Sequence, residues 1–123
     1  MNQTALVLVS LVSAVALAAD LGAPAPDFTL KDFGLEHPVL LDESGAVGKA
    51  YGATNTPHLF VIDAKGSLVY RGAIDNSPDG EGEAAKDGKL LNYVEAALDD
   101  LAAGRAVKTP DTKAYGCSVK YGS

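Results

Sequence analysis

Residues 59–70 read LFVIDAKGSLVY, and this stretch carries the strongest local structural signal in the chain. Two runs of strand-forming residues, Leu59 to Ile62 and Ser67 to Tyr70, flank the four-residue connector Asp63 to Gly66. Apolar and aromatic runs joined by three to five residues that include a glycine are typical of a β-hairpin. The sequence therefore predicts two antiparallel strands joined by a tight turn at these positions.

A helical pattern follows the hairpin, from Asp87 or Lys89 to Ala103. Its apolar residues recur at steps of three and four, which is the spacing of one helix face. They are Leu90, Leu91, Val94, Ala97, Leu98 and Leu101, and the acidic residues Glu95, Asp99 and Asp100 are expected on the opposite, solvated face. Asp87 is the expected N-cap, and Gly104 followed by Arg105 is typical of a helix C-terminus.

Shorter elements precede the hairpin. Apolar residues alternate in part over 28–33, which predicts a strand-like arm. A short buried strand is predicted at Val39, Leu40 and Leu41, which are all apolar. It is expected to stop at the polar cluster 42–45, which has the composition of a turn. Residues 46–51 predict one or two helical turns that end at Gly52.

The N-terminus carries an apolar run, ALVLVSLVSAVALAA over residues 5–19, with the length of a signal-peptide core. Ala16 and Ala18 supply the small-x-small pattern of a cleavage site, although no Lys or Arg precedes the run. The run is too short for a membrane span, which needs about 20 apolar residues. We predict a signal peptide at 1–18 and an exported domain at 19–123, periplasmic or secreted; an uncleaved anchor is the alternative.

Composition excludes several classes of function. The formal charge of -6 argues against nucleic-acid binding, which needs a basic surface to neutralise phosphates. Cys117 is the only cysteine, so no disulfide can form within one chain. With His37 and His58 as the only histidines, the chain also lacks the ligands of a Cys/His zinc site. We expect neither a metal nor another cofactor.

Several motifs, in order along the chain, resemble a known family. They are the opening APDFTL at residues 25–30, Thr56-Pro57 directly before the hairpin, the closing helix, and the tail GCSVK at residues 116–120. Together they resemble thioredoxin-like redoxins of the alkyl hydroperoxide reductase and thiol-specific antioxidant type, which are peroxiredoxin-like. The resemblance implies an α/β fold and thiol-dependent reduction of peroxides or disulfides. It also implies a cis-proline corner at Thr56, Pro57 and His58 that lines the substrate groove.

The same resemblance shows a gap. In such redoxins the opening arm is followed by a central strand and a Cys-x-x-Cys helix, whereas here Phe33 is followed almost at once by Leu35 to Val39. We therefore expect a truncated thioredoxin-like fold, cut near 33–35, that keeps a short strand, the hairpin and the closing helix. Without the missing helix, we expect no fixed cis state at Thr56-Pro57. A true deletion and an error in the gene sequence both remain open.

The gap decides the expected chemistry. Thiol exchange and peroxide reduction need a thiolate, which a helix N-terminus or a nearby cation makes available. Cys117 is only a weak catalytic candidate, because its flanks offer lysines but no histidine. We predict no turnover by this chain alone, with a protein thiol as one expected partner. The alternative is a non-catalytic binding module, or self-association, through an unpaired edge of the strand Leu59 to Ile62.

The acidic loop after the hairpin partly matches a calcium-binding template. Asp75, Ser77, Asp79, Gly80, Glu81 and Glu83 fall at six template positions. The twelfth position, which should be a bidentate glutamate, is Lys86. A solvated surface loop is therefore the favoured interpretation.

Overall fold

The computed structural model describes residues 19–32, 34, 36–78 and 88–122. Its elements are β1 (Lys31–Asp32), β2 (Leu40–Leu41), α1 (Ala46–Tyr51), β3 (Asn55–Thr56), β4 (Leu59–Ile62), β5 (Leu68–Gly72), α2 (Tyr93–Ala102) and β6 (Cys117–Ser118). The strands form three antiparallel pairs, β1 with β2, β3 with β6 and β4 with β5. None of the helices in this part of the chain has the length and apolarity that a bilayer crossing needs.

The predicted hairpin is confirmed as β4 and β5. Its first strand has the predicted bounds, while the second runs two residues past Tyr70 to Gly72. The Asp63 carboxylate shapes the turn by accepting hydrogen bonds from the N–H groups of Lys65 and Ser67, each at 2.9 Å. Gly66 takes a φ of 82°, a conformation that favours glycine.

The core lies on β5 and is small. Leu68 is fully buried and clusters with Ala19 and Tyr51, and the Tyr51 ring meets Phe60 edge-on at 5.3 Å. The backbone of residues 22–25 runs along β5, where the Gly22 N–H donates to the Leu68 carbonyl and the Leu68 N–H donates to the Ala23 carbonyl. The segment before the opening arm therefore covers one edge of the hairpin.

The elements between the arm and the hairpin agree with prediction only in part. Helix α1 has the predicted bounds, and Gly52 ends it in the left-handed conformation. The predicted buried strand Val39–Leu41 is wrong in extent and in burial, because β2 is two residues long and both are exposed. It pairs only with the two-residue β1, and among the described residues no further strand extends this sheet.

Helix α2 starts later than the sequence indicates. Asn92 is its N-cap and accepts a hydrogen bond from the Glu95 N–H at 3.0 Å, whereas the predicted cap Asp87 lies outside the described residues. Leu90 and Leu91, which precede the cap, are not helical, because Asn76 binds this stretch. Its side-chain oxygen accepts from the Leu91 N–H at 2.8 Å, and its backbone N–H donates to the Leu91 carbonyl at 3.1 Å.

The predicted faces of α2 are partly wrong. Leu98 is 50% exposed, whereas Asp100, placed on the solvated face by the sequence, is only 5% exposed. Hydrogen bonds from the Arg105 guanidinium, at 2.8 and 3.1 Å, hold the pKa of the Asp100 carboxyl below its ordinary value. The Lys108 N–H adds a bond at 3.0 Å and lowers this pKa further. Asp100 thus holds the segment that follows α2 by hydrogen bonds to Arg105 and Lys108. The periodicity of the sequence does not reveal this role.

Candidate functional site

The tail of the chain meets the proline corner. Strand β6 pairs antiparallel with β3, so that Cys117 lies opposite Thr56 and Ser118 lies opposite Asn55. The Thr56–Pro57 peptide bond is cis, contrary to the expectation that no fixed cis state would remain. The structure therefore brings together two sets of candidate residues, the corner and the single thiol, that the sequence left unconnected.

A glycine allows this close approach. Gly116 has a φ of 97°, and a Cβ at this position would lie 2.2 Å from the Thr56 carbonyl oxygen and 3.2 Å from Pro57 Cδ. The Asn55 side-chain amide donates to the Gly116 carbonyl at 3.2 Å. Because any side chain at position 116 would collide with the Thr56 backbone, glycine is required for the tail to lie here.

Tyr121 anchors the far end of the tail. Its hydroxyl donates to the Ala53 carbonyl at 2.6 Å, and its ring lies against α1, where a Cβ on Gly48 would come within 2.8 Å of the hydroxyl oxygen. The Lys49 ammonium stands 5.6 Å from the ring centroid and donates to the Gly122 carbonyl at 3.1 Å. The tail is thus held at both ends of its crossing, by Gly116 and by Tyr121.

His58 has a structural partner at the corner. Its Nδ1 accepts a hydrogen bond from the Thr54 N–H at 3.1 Å, and its ring stacks on Phe60 with the centroids 4.5 Å apart. Burial lowers the pKa of His58, the Arg71 charge lowers it further, and the Asp111 charge opposes these effects. An accepting Nδ1 requires the neutral ring, so this nitrogen is occupied and is not free to take a proton from Cys117.

The Cys117 thiol is exposed and lies in strand β6. It is not in the first turn of α1 or α2, which begin at Ala46 and Tyr93. A helix N-terminus is the usual device that stabilises a thiolate, and an edge strand does not supply it. The site has an accessible thiol on the residue paired with Thr56, next to the cis-proline in the chain, without that means of activating the thiol.

An open groove of about 770 Å³ lies beside the corner. Thr56, Pro57 and His58 line it from the corner, and residues 119–122 of the tail line it as well. The acidic residues Asp42 and Glu43 also reach it. All three residues that the sequence assigned to a substrate groove therefore lie on one groove, and the tail borders the same space.

A second groove lies on the hairpin and is wholly apolar. We call it the β4 face; it has a volume of about 290 Å³ and is lined by Phe28, Val47, Gly48, Tyr51, Ala53, Phe60 and Ile62. Phe28 and Ile62 are about 40% exposed there. Among the described residues, β4 pairs with β5 alone, so its outer edge carries no strand in this part of the chain.

The calcium hypothesis concerns residues that are mostly outside the described ranges. Asp79, Gly80, Glu81 and Glu83 fall there; Asp75 and Ser77 are described. Asp75 Oδ1 accepts hydrogen bonds from the Ser77 N–H and from the Tyr115 hydroxyl, both at 2.9 Å. No group of three metal-binding side chains occurs among the described residues. Asp75 therefore holds the segment before the tail through its hydrogen bond with Tyr115.

The Redoxin family model matches residues 10–89. The chain belongs to the Redoxin family. The match confirms the thioredoxin-like α/β fold class and includes the proline corner, but it ends before α2 and β6. No protein with curated information matches the chain.

Two solved structures resemble the redoxin. A hypothetical protein of Sinorhizobium meliloti 1021 is 34% identical, with a TM-score of 0.57 over 74% of this chain. An uncharacterized conserved protein of Geobacillus kaustophilus is 36% identical, with a TM-score of 0.57 over 72% of this chain. The alignments cover only 48% and 45% of those proteins, so the chain spans about half the length of each.

Proposed function

We propose that this chain is an exported, truncated redoxin that reduces neither peroxides nor disulfides on its own. The observation that carries the proposal is the position of Cys117, the only cysteine, in an edge strand opposite Thr56. A redoxin acts through a thiolate, and the usual means of stabilising one is a helix N-terminus. The retained corner supplies a groove, but Cys117 is not among the residues that line it, and the corner does not supply this activation.

The number of thiols supports the same proposal. A Cys117 thiolate that attacks a disulfide forms a mixed disulfide and releases one thiol. Completing the cycle requires a second thiol to attack that mixed disulfide, and this chain has no second cysteine. That second thiol would have to come from another molecule, so the chain cannot complete the exchange by itself.

The truncation near residues 33–35 is part of the proposal. It is supported by the length of the two related structures, of which this chain covers less than half. Among the described residues no strand pairs with the outer edge of β4, which is what the loss of a neighbouring strand would leave. Phe33 and Leu35 themselves lie outside the described residues. Sequencing the gene across codons 33–35 tests this directly, since a Cys-x-x-Cys block encoded there would restore an enzymatic function.

The activity test compares the purified chain with its Cys117→Ser variant. Both are assayed for reduction of hydrogen peroxide and of a disulfide substrate, with dithiothreitol as the electron donor. We expect equal rates, at the background set by dithiothreitol alone. Multiple turnovers by the native chain that disappear in Cys117→Ser would overturn the proposal.

Export is tested by the mature N-terminus. When the full-length gene is expressed in a bacterial host, we expect a periplasmic or secreted product whose mass corresponds to a start at Ala19. A product that stays in the cytoplasm with residues 1–18 attached would contradict this part of the proposal.

The β4 face favours a second function, a non-catalytic module that binds by strand addition. An unpaired strand edge beside exposed apolar side chains offers backbone hydrogen bonds and burial to an incoming strand. Such a module must be folded and have a defined stoichiometry. We expect a cooperative thermal melt and a single species in analytical ultracentrifugation; a broad melt with progressive aggregation would instead indicate a truncated remnant without this function.

A further inference from the structure

The segment 116–122, which we call the tail strap, covers an edge of strand β3. The strap crosses the proline corner through the β3–β6 pair. The Val119 N–H extends the contact by donating to the Thr54 carbonyl at 2.9 Å. We propose that the tail strap is displaceable and that an extended peptide with the strap's own pattern, a glycine followed five residues later by a tyrosine, takes its place. This goes beyond the proposed function, because it requires neither turnover nor the β4 face.

The edge under the strap offers general strand-binding groups. Residues 53–56 present backbone carbonyls that the strap already uses, at Ala53 and Thr54, and an amide side chain at Asn55. Backbone groups of this kind bind any extended chain that lies antiparallel to them, which is the basis of recognition by strand addition. The tail strap therefore demonstrates, within one molecule, the geometry that an incoming peptide would adopt.

The strap is less buried than the core of the fold. Both residues of β6 are exposed, and its ladder with β3 is only two residues long. Segments with few buried contacts and exposed hydrogen bonds open at a small free-energy cost. The core cluster around Leu68 contains no strap residue, so the hairpin keeps its packing when the strap leaves.

The contacts of the strap define the peptide that fits. Only a glycine can lie against the Thr56 carbonyl, as Gly116 does. The position of Tyr121 requires a flat ring with a hydroxyl, because the ring lies against Gly45 and Gly48 and the hydroxyl binds the Ala53 carbonyl. Asp42 and Glu43 on the adjoining groove favour a basic residue between these two positions, where the strap has Lys120.

The test uses the full chain and a fluorescent peptide with the sequence of residues 115–122, in which serine replaces the cysteine to prevent disulfide formation. Binding is measured by anisotropy for the native chain and for two variants that release the strap differently. Gly116→Ala introduces the collision with Thr56, and Tyr121→Ala removes the anchor on α1. Lys113→Ala, an exposed substitution that precedes the strap, is the matched control.

We expect both strap variants to bind the peptide about tenfold more tightly than the native chain and the Lys113→Ala control, because an edge occupied by its own strap reduces the apparent affinity. A peptide with alanine in place of its final tyrosine should bind at least fivefold more weakly. Unchanged affinity in variants whose melts remain cooperative would overturn the proposal, as would equal binding of a scrambled peptide.

Hydrogen exchange tests the opening in the native chain, so the proposal does not depend on the folding of a variant. The Val119 amide, which bonds to Thr54, should exchange at least tenfold faster than the Leu68 amide, which bonds to Ala23 beside the core. Equal protection of these two amides would show that the strap opens only with the whole fold, and the proposal would fail.

Discussion

Thr56 and Cys117 lie directly opposite each other in the β3–β6 pair, with the cis-proline Pro57 next in the chain. The single thiol of this redoxin is therefore fixed against the backbone of its proline corner. Gly116 allows the close approach to Thr56, and Tyr121 anchors the far end of the tail. The predictions below test this arrangement and the core that supports it.

Gly116→Ala should destabilise the chain more than a glycine substitution without a collision. The added Cβ would meet the Thr56 carbonyl, and the positive φ is itself unfavourable for alanine. Gly104→Ala is the matched control, because Gly104 also has a positive φ, of 69°, but faces open space. In urea unfolding we expect Gly116→Ala to lose about 1 kcal/mol or more beyond the control. Equal losses in the free energy of unfolding of the two variants would mean that the strap accommodates the added methyl group without a cost in stability.

Leu68→Ala should remove much of the stability of the hairpin. Leu68 is fully buried between Ala19 and Tyr51, and truncation of a buried leucine typically costs about 2–5 kcal/mol. Leu98→Ala on the exposed side of α2 is the control and should change the free energy of unfolding by about 0.5 kcal/mol at most. If the two variants melt alike, the core is not where the structure places it.

His58 should make stability depend on pH near neutrality. Its pKa is lowered in the folded chain, chiefly by burial, so the unfolded chain binds this proton more readily. The contribution is fully present above the ordinary histidine pKa of about 6.5 and is lost as the pH falls below it. Urea unfolding at pH 7.5 and 5.5 measures it. His58→Phe, which keeps an aromatic ring on Phe60, should show a smaller pH dependence; an unchanged dependence would contradict the assignment.

Tyr115 should ionise only in strong alkali. Burial raises the pKa of Tyr115 to about 12, and its hydrogen bond to the Asp75 carboxylate and that negative charge add to the shift. The stabilising contribution is present below about pH 10 and is lost as the pH rises through the native pKa. Burial also raises the pKa values of Tyr51 and Tyr70, so titration by ultraviolet absorbance should show late ionisation of several tyrosines. Tyr115→Phe should reduce the amplitude of this late transition. Asp75→Asn should move the transition to lower pH.

Asp100 should contribute to resistance against acid. Its pKa is lowered by the Arg105 hydrogen bonds first and by the Lys108 N–H second. This contribution is fully present above the ordinary carboxyl pKa of about 3.9 and is lost as the pH falls through the lower native value. Asp100→Asn should unfold at a higher pH than the native chain in an acid titration, whereas Asp99→Asn, on the exposed side of the same helix, should not. Identical midpoints for both variants would contradict the role of Asp100.

Local signals predicted the local structure. The turn at Asp63 to Gly66 gives the hairpin, and Gly52 ends α1, because in each case the residues that determine the conformation lie within a few positions. The start of α2 was missed because Asn76, far back in the chain, binds Leu91. The burial of Asp100 was missed because it depends on Arg105 and Lys108, which lie beyond the end of the helix and outside its periodic pattern.

The sequence singled out the residues of the proline corner but not the arrangement of the tail on it. The resemblance singled out Thr56, Pro57 and His58, and the structure places all three on one groove. It gave no indication that Cys117 would face Thr56, because strand pairing between distant segments leaves no periodic signal in either of them. Gly116 was the available clue, since a glycine in a tail segment can mark a close backbone approach.

The packing of Tyr121 on Gly48 links the end of the chain to helix α1. A side chain gained at position 48 would overlap the end of the phenol, so Tyr121 would have to turn away and give up its hydrogen bond to the Ala53 carbonyl. A substitution at position 48 would therefore act on the last residues of the chain through Tyr121.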